Sequence, residues 1–146
     1  MSTVTVESSR FGTLEIEAGA VLEFPTGLIG LGGRRWAVVT KDPNGPFAWL
    51  HSLDDPALAL PITNPWGFFA DYAVDLSDGD SERISADDVL VLVTVRAGSE
   101  LSDFSANLRA PILISGGRGH QVINQSEHAP VRAALFPDVK AETAAA

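Results

Sequence analysis

The sequence predicts an all-β protein, built from many short strands divided by Gly- and Pro-rich turns, with short helical turns at most. Three observations carry that prediction. Apolar and polar residues alternate over residues 3–7 and 13–17, the period of a strand with one buried face. Turn-forming clusters recur at close spacing, among them Asp42-Pro43-Asn44-Gly45-Pro46 and Asn64-Pro65-Trp66-Gly67. In these, Pro fixes φ while Asn and Gly accept positive φ. The run over residues 89–95 is apolar on both faces, so it belongs at the centre of a sheet covered on each side. Such strands close into a sandwich or a barrel, and periodicity leaves both open.

Each element follows in order. Val4 and Val6 share a face of the first strand and Leu14 and Ile16 a face of the second, with Ser9, Arg10 and Gly12 as a hairpin between them. Residues 21–24 give a short strand stopped by Pro25. A loop over 26–33 with four glycines leads to a strand over 36–40. Residues 47–53 and 58–63 pair across Asp54-Asp55-Pro56. After the Asn64–Gly67 turn comes an extended stretch, 68–76, and then a polar run, 77–85, expected to be a mobile surface loop. Residues 86–90 are the one segment able to add a helical turn, with Ser85 as its cap. Further strands are expected over 105–107, 110–115 and 120–124, the last two joined through Gly116-Gly117-Arg118-Gly119. The chain reads as one β domain over 1–137 and a flexible tail over 138–146, which offers nothing to bury.

Composition narrows the function. With 146 residues, 45% apolar and 20% charged, the chain matches one globular domain and not a disordered one. No apolar run approaches the ~20 residues that cross a bilayer. The first residues lack the basic start and apolar stretch of a signal peptide. Cysteine is absent, which excludes disulfides, thiolate metal sites and a thiol nucleophile. A cytoplasmic protein is expected, and there the Asn124-Gln125-Ser126 sequon has no glycosylation meaning.

The net charge of −9 disfavours direct binding of nucleic acid. Its distribution is uneven. Residues 71–103 hold nine acids (Asp71, Asp75, Asp78, Asp80, Glu82, Asp87, Asp88, Glu100, Asp103) against Arg83 and Arg96, a local charge of −7. That stretch is either a solvated acidic face or a docking surface for a basic partner.

No catalytic constellation emerges. His51, His120 and His128 lack the spacing of zinc ligands. Asp54-Asp55 could be a paired-carboxylate site, but neighbours on a strand point opposite ways and Asp before Pro is a common turn element. The glycines of 27–33 resemble a phosphate loop only superficially. A strand follows them, where phosphate binding calls for a helix N-terminus, although Arg34 and Arg35 could still meet an anion. No serine sits in a Gly-x-Ser-x-Gly context. An enzyme or ligand-binding barrel, its mouth lined by His51, Asp54 and Trp49, remains the alternative class.

Four phrases together identify a family. They are Phe24-Pro25-Thr26-Gly27-Leu28-Ile29-Gly30; Ser52-Leu53-Asp54-Asp55-Pro56 with Asn64-Pro65 and Phe68-Phe69-Ala70-Asp71-Tyr72-Ala73-Val74-Asp75-Leu76; Ala106-Asn107-Leu108-Arg109-Ala110-Pro111-Ile112-Leu113-Ile114; and Gln121-Val122-Ile123. In this order they resemble the FliW family of flagellar assembly factors, over roughly residues 11–133. The chain departs from the pattern at Ala70, where Pro is common, at Ser115, where Asn is usual, and at His128-Ala129-Pro130. The resemblance implies a small, mostly antiparallel β-barrel-like fold. It implies a non-catalytic cytoplasmic binder without cofactors, whose partners are flagellin and CsrA, a basic RNA-binding regulator. Binding CsrA would relieve repression of flagellin mRNA translation; a flagellin-only chaperone is the alternative.

The acidic run with its aromatic neighbours then supplies the expected partner surface: Phe68, Phe69, Asp71, Tyr72, Asp75, Asp78, Asp80 and Glu82. On a strand Phe68 and Ala70 would share one face and Phe69 and Asp71 the other. Either one Phe is core and the other an apolar anchor, or both are buried. Asn107, polar between strand-forming segments, is expected to satisfy backbone groups.

Overall fold

A computed structural model describes residues 3–28, 31, 34–42, 44–84 and 89–136, without the side chains of 81–83. Alternation places β1 (Thr3–Ser8) and β2 (Gly12–Glu17) where it should, as an antiparallel hairpin with Val6 buried and Val4, Leu14 and Ile16 half-buried. Gly12, at φ 75°, occupies a conformation that an L side chain resists. This hairpin is a separate two-stranded sheet.

The remaining strands build the barrel: β3 (Leu22–Glu23), β4 (Arg35–Val39), β5 (Phe47–Ser52), β6 (Ala59–Thr63), β7 (Leu90–Arg96), β8 (Ser105–Ala106), β9 (Ile112–Ser115), β10 (Arg118–Gln121) and β11 (Ala133–Ala134). The order β7-β6-β5-β4-β3-β10-β9 returns to β7, because Leu90, Val91 and Leu92 pair with Ile114, Leu113 and Ile112. Seven strands therefore close on themselves, which removes the open sheet edges that invite aggregation. Every pairing is antiparallel except β3 with β10, a single parallel step at Glu23 and Arg118. The choice that periodicity left open falls to a barrel.

Phe24, Trp36, Leu50, Ile62, Leu92, Ile112 and Ile114 form its interior with Leu28. Fully burying one such side chain contributes about 1.5–3 kcal/mol. Phe24 and Trp36 meet edge to face at 6.3 Å, and the Phe24 ring presses on the backbone of Gly119. The outer face of β7 carries a second core, in which Val93 and Val95 pack with Tyr72, Ala106, Leu108, Ala129 and Leu135. So β7 is covered on both sides, as its two-faced apolarity requires.

Four local expectations change. Residues 68–76 form no strand. Pro65 opens a 3-10 turn, Phe68 and Phe69 donate back to its carbonyl at 3.1 and 2.8 Å, and the segment then runs as an irregular strap over the second core. The polar run 77–85 contains a helix, α1 (Asp78–Arg83), because Ser77 Oγ accepts the Asp80 amide at 3.3 Å and Asp78 and Asp80 occupy the positive first turn. The helical turn expected over 86–90 has no counterpart at its described end, since Leu90 is already in β7; residues 85–88 lie outside the described residues. The connection before β10 is Gly116-Gly117 alone, at φ 60° and 78°, and Arg118 and Gly119 belong to the strand. The tail over 138–146 also lies outside the described residues.

Candidate partner-binding surface

The strap is fixed by side chains instead of a ladder. Asn124, fully buried, donates through Nδ2 to the Ala73 carbonyl at 2.9 Å and to the Tyr72 hydroxyl at 3.2 Å. Its Oδ1 accepts the amides of Asp75 (2.9 Å) and Ser126 (3.0 Å). Tyr72 OH in turn donates to the Leu108 carbonyl at 2.8 Å, and burial pushes the phenol above its ordinary value while the Asn124 bond pulls it back. The Gln125 amide adds a bond to the Asp75 carbonyl, 2.8 Å. A strap with its polar groups satisfied in this way is held in one conformation.

The residues expected at the interface separate into two sets. Asp71, Asp75 and Asp78 are exposed, following one another along the strap and into α1. Tyr72 is buried and Asp80 half-buried; the Glu82 side chain lies outside the described residues. Phe68 stacks on Phe47 at 5.8 Å and meets Phe136 edge-on at 5.6 Å, so it belongs to the second core. Phe69 is half-buried on the same core and lines a shallow pocket of about 270 Å³ with Asp71, Tyr72, Leu108 and His128. Because the backbone here is not a strand, the two rings do not point to opposite faces of a sheet.

Sequence reasoning passed over Trp66. It is 43% exposed, lies 5.7 Å from the Tyr72 ring and donates Nε1–H to the Tyr72 carbonyl at 2.8 Å. Its position after Asn-Pro was the available signal: the Asn64 side chain accepts the Trp66 amide at 2.9 Å and turns the indole outward from β6. Asn124 had no local signal beyond its sequon.

The residues weighed for chemistry have structural duties. Asp54 accepts the amides of Arg34 (2.8 Å) and Arg35 (3.1 Å) and pairs with the Arg35 guanidinium at 3.4 Å; those backbone bonds, first of all that from Arg34, hold its carboxyl below the usual range. Asp55 accepts the Ala57 amide at 3.0 Å, as a turn residue does. Asn107 Oδ1 accepts the Arg109 and Ala110 amides, each at 3.1 Å, the backbone role expected of it. His51 is buried beneath the β1–β2 hairpin. Its Nδ1–H donates to the Ser52 carbonyl and its Nε2 accepts from Ser8 Oγ, each at 2.7 Å. Trp49 packs on Phe11 at 5.5 Å, with the Arg10 guanidinium over its ring. None of His51, Asp54 and Trp49 lines the barrel mouth, so the lining expected for a ligand-binding barrel is not found there. Among the described residues no cluster of His, Asp and Glu has the makings of a metal site, and no helix is long and apolar enough to cross a membrane.

Comparison with known proteins agrees with this architecture. The FliW protein family profile matches residues 5–135. The flagellar assembly factor FliW of Alkaliphilus metalliredigens is 33% identical over 129 residues, covering 84% of this chain and 80% of that one. Its namesake in Desulfitobacterium hafniense strain Y51 is 31% identical over 144 residues, 93% of each. A crystal structure of the flagellar assembly factor FliW superposes with a TM-score of 0.82 at 28% identity, covering 92% of this chain and 98% of that one. On sequence and fold alike, this chain belongs to the FliW family of flagellar assembly factors.

Proposed function

We propose that this chain is a non-catalytic cytoplasmic protein that binds flagellin and the translational regulator CsrA, and that binding CsrA frees flagellin mRNA for translation. The observation that carries this reading is the strap, which presents Asp71, Asp75 and Asp78 on a backbone locked by Asn124. An RNA-binding regulator owes its affinity to a cationic surface, and fixed carboxylates are attracted by the same field that attracts phosphates. Because the strap is already ordered, docking costs little conformational entropy there. Exposed Trp66 and half-buried Phe69 lie on the same stretch of chain as these carboxylates and offer a partner apolar contacts beside them.

A gel-shift assay with purified components tests it. The chain, titrated into a complex of CsrA with flagellin leader RNA, is expected to release the RNA, and added flagellin to reverse the release. RNA that stays bound at saturating folded chain overturns the CsrA half of the proposal. Binding to flagellin alone would then mark a flagellin-only chaperone.

A further inference from the structure

One end of the barrel stays open. Strands β6 and β7 pair only at Ile62 with Thr94 and Thr63 with Val93, and beyond that point lies a cavity of about 390 Å³. Small-molecule sites span roughly 300–1,000 Å³. Leu28, Leu31, Leu60, Val95 and Val131 form its apolar wall. Val131 is 58% exposed and Leu31 37%, a large apolar area to leave facing water beside an open cavity.

The polar lining is one-sided. Thr94, Arg96, Ser105, Asn107, Gln121 and Arg132 can all donate hydrogen bonds, and no carboxylate is among them. That is unusual in a chain with 19 acids and 10 bases. Asn107 has committed its Oδ1 to two backbone amides, which leaves Nδ2, a donor. Gln121 already uses its Nε2 to hold the Ala110 carbonyl at 3.1 Å, as a brace for the wall. Arg10, Arg35 and Arg109 each have a partner: the Trp49 ring, Asp54 and the Ala129 carbonyl. The side chains of Arg34, Arg96, Arg118 and Arg132 form no ion pair or hydrogen bond with any described residue, and of these four exposed arginines Arg96 and Arg132 line the cavity. Guanidinium groups are matched in shape and charge to carboxylates.

We infer that the barrel mouth binds a small amphipathic organic anion, a carboxylate held by Arg96 and Arg132 with an aliphatic or aromatic body against the leucine and valine wall. The inference is independent of the strap and its partners. Octanoate is a suitable probe, added below its micelle concentration to the full chain and followed by amide NMR shifts. Octanol and octylammonium test the head group, and acetate tests the body. Octanoate is expected to move the amides lining the mouth and to bind about tenfold tighter than octanol, with octylammonium and acetate weaker still.

The double variant R96Q/R132Q, at unchanged melting temperature, is expected to lower octanoate affinity about tenfold and to leave octanol binding alone. Should the double variant fail to fold, R132Q by itself carries the comparison. Equal affinity for octanoate and octanol, shifts scattered away from the mouth, or octanoate binding untouched in the folded variants would each overturn the inference. So would a mouth that ignores octanoate and takes only a peptide ending in a free carboxylate.

Discussion

Asn124 bears more of the structure than any residue its size would suggest. One amide group satisfies the Asp75 and Ser126 amides and the Ala73 carbonyl, and steadies the Tyr72 hydroxyl. Asn124→Ala removes all of these bonds and empties a fully buried site, and is expected to destabilise by about 3 kcal/mol in urea unfolding. A loss within experimental error would show that the strap is held by apolar packing alone. Asn107 makes the same kind of bonds but was legible from sequence, because its partners lie two and three residues away. Those of Asn124 on the strap lie 49 to 52 residues away, a distance that no local pattern encodes. Asp54 gives a second expectation. Its folded pKa lies below the ordinary 3.8, so its contribution is present above that value and is lost as pH falls through the lower folded one. The stability gap between wild type and Asp54→Asn should therefore narrow from pH 6 to below pH 3. A gap that is constant across that range would assign Asp54 no such role.

Among the elements, strands with one buried face were readable residue by residue, since alternation of Val4, Val6, Leu14 and Ile16 is both the signal and the cause. The strap and α1 were not. Phe68-Phe69-Ala70-Asp71 resembles a strand in composition, and only the Asn64 cap and the Pro65 turn, followed by capture on Asn124, divert it. In α1 the Ser77-x-x-Asp80 cap was present in the sequence but sat in a run polar enough to read as a loop. Two glycines offer opposite tests of the elements. A Cβ at Gly119 would overlap the ring of fully buried Phe24, so Gly119→Ala should cost about 2 kcal/mol or more through displaced packing. At Gly79, within α1, nothing lies within 4 Å, and Gly79→Ala should stabilise by up to about 1 kcal/mol through helix propensity. Denaturant midpoints moving in the same direction for both would contradict the assignment of one position to the barrel wall and the other to a solvent-facing helix.

At the scale of the whole molecule, sequence periodicity showed the strand class but not the closure. The ring depends on the pairing of β7 with both β6 and β9 and on the single parallel contact between Glu23 and Arg118, neither of which leaves a periodic trace. The family resemblance supplied the barrel, and the superposition with a solved FliW structure agrees with it. Charge was legible earlier than shape. The acidic stretch was visible by counting, and folding leaves Asp71, Asp75 and Asp78 at the surface. The most direct test of the account is the affinity of the chain for CsrA measured across a series of salt concentrations. Wild type is compared with the variant carrying Asn at 71, 75, 78 and 80, after circular dichroism has shown that both are folded. The variant is expected to bind more weakly at low salt and to show a flatter decline as salt rises. Equal affinities with parallel salt dependence would contradict it.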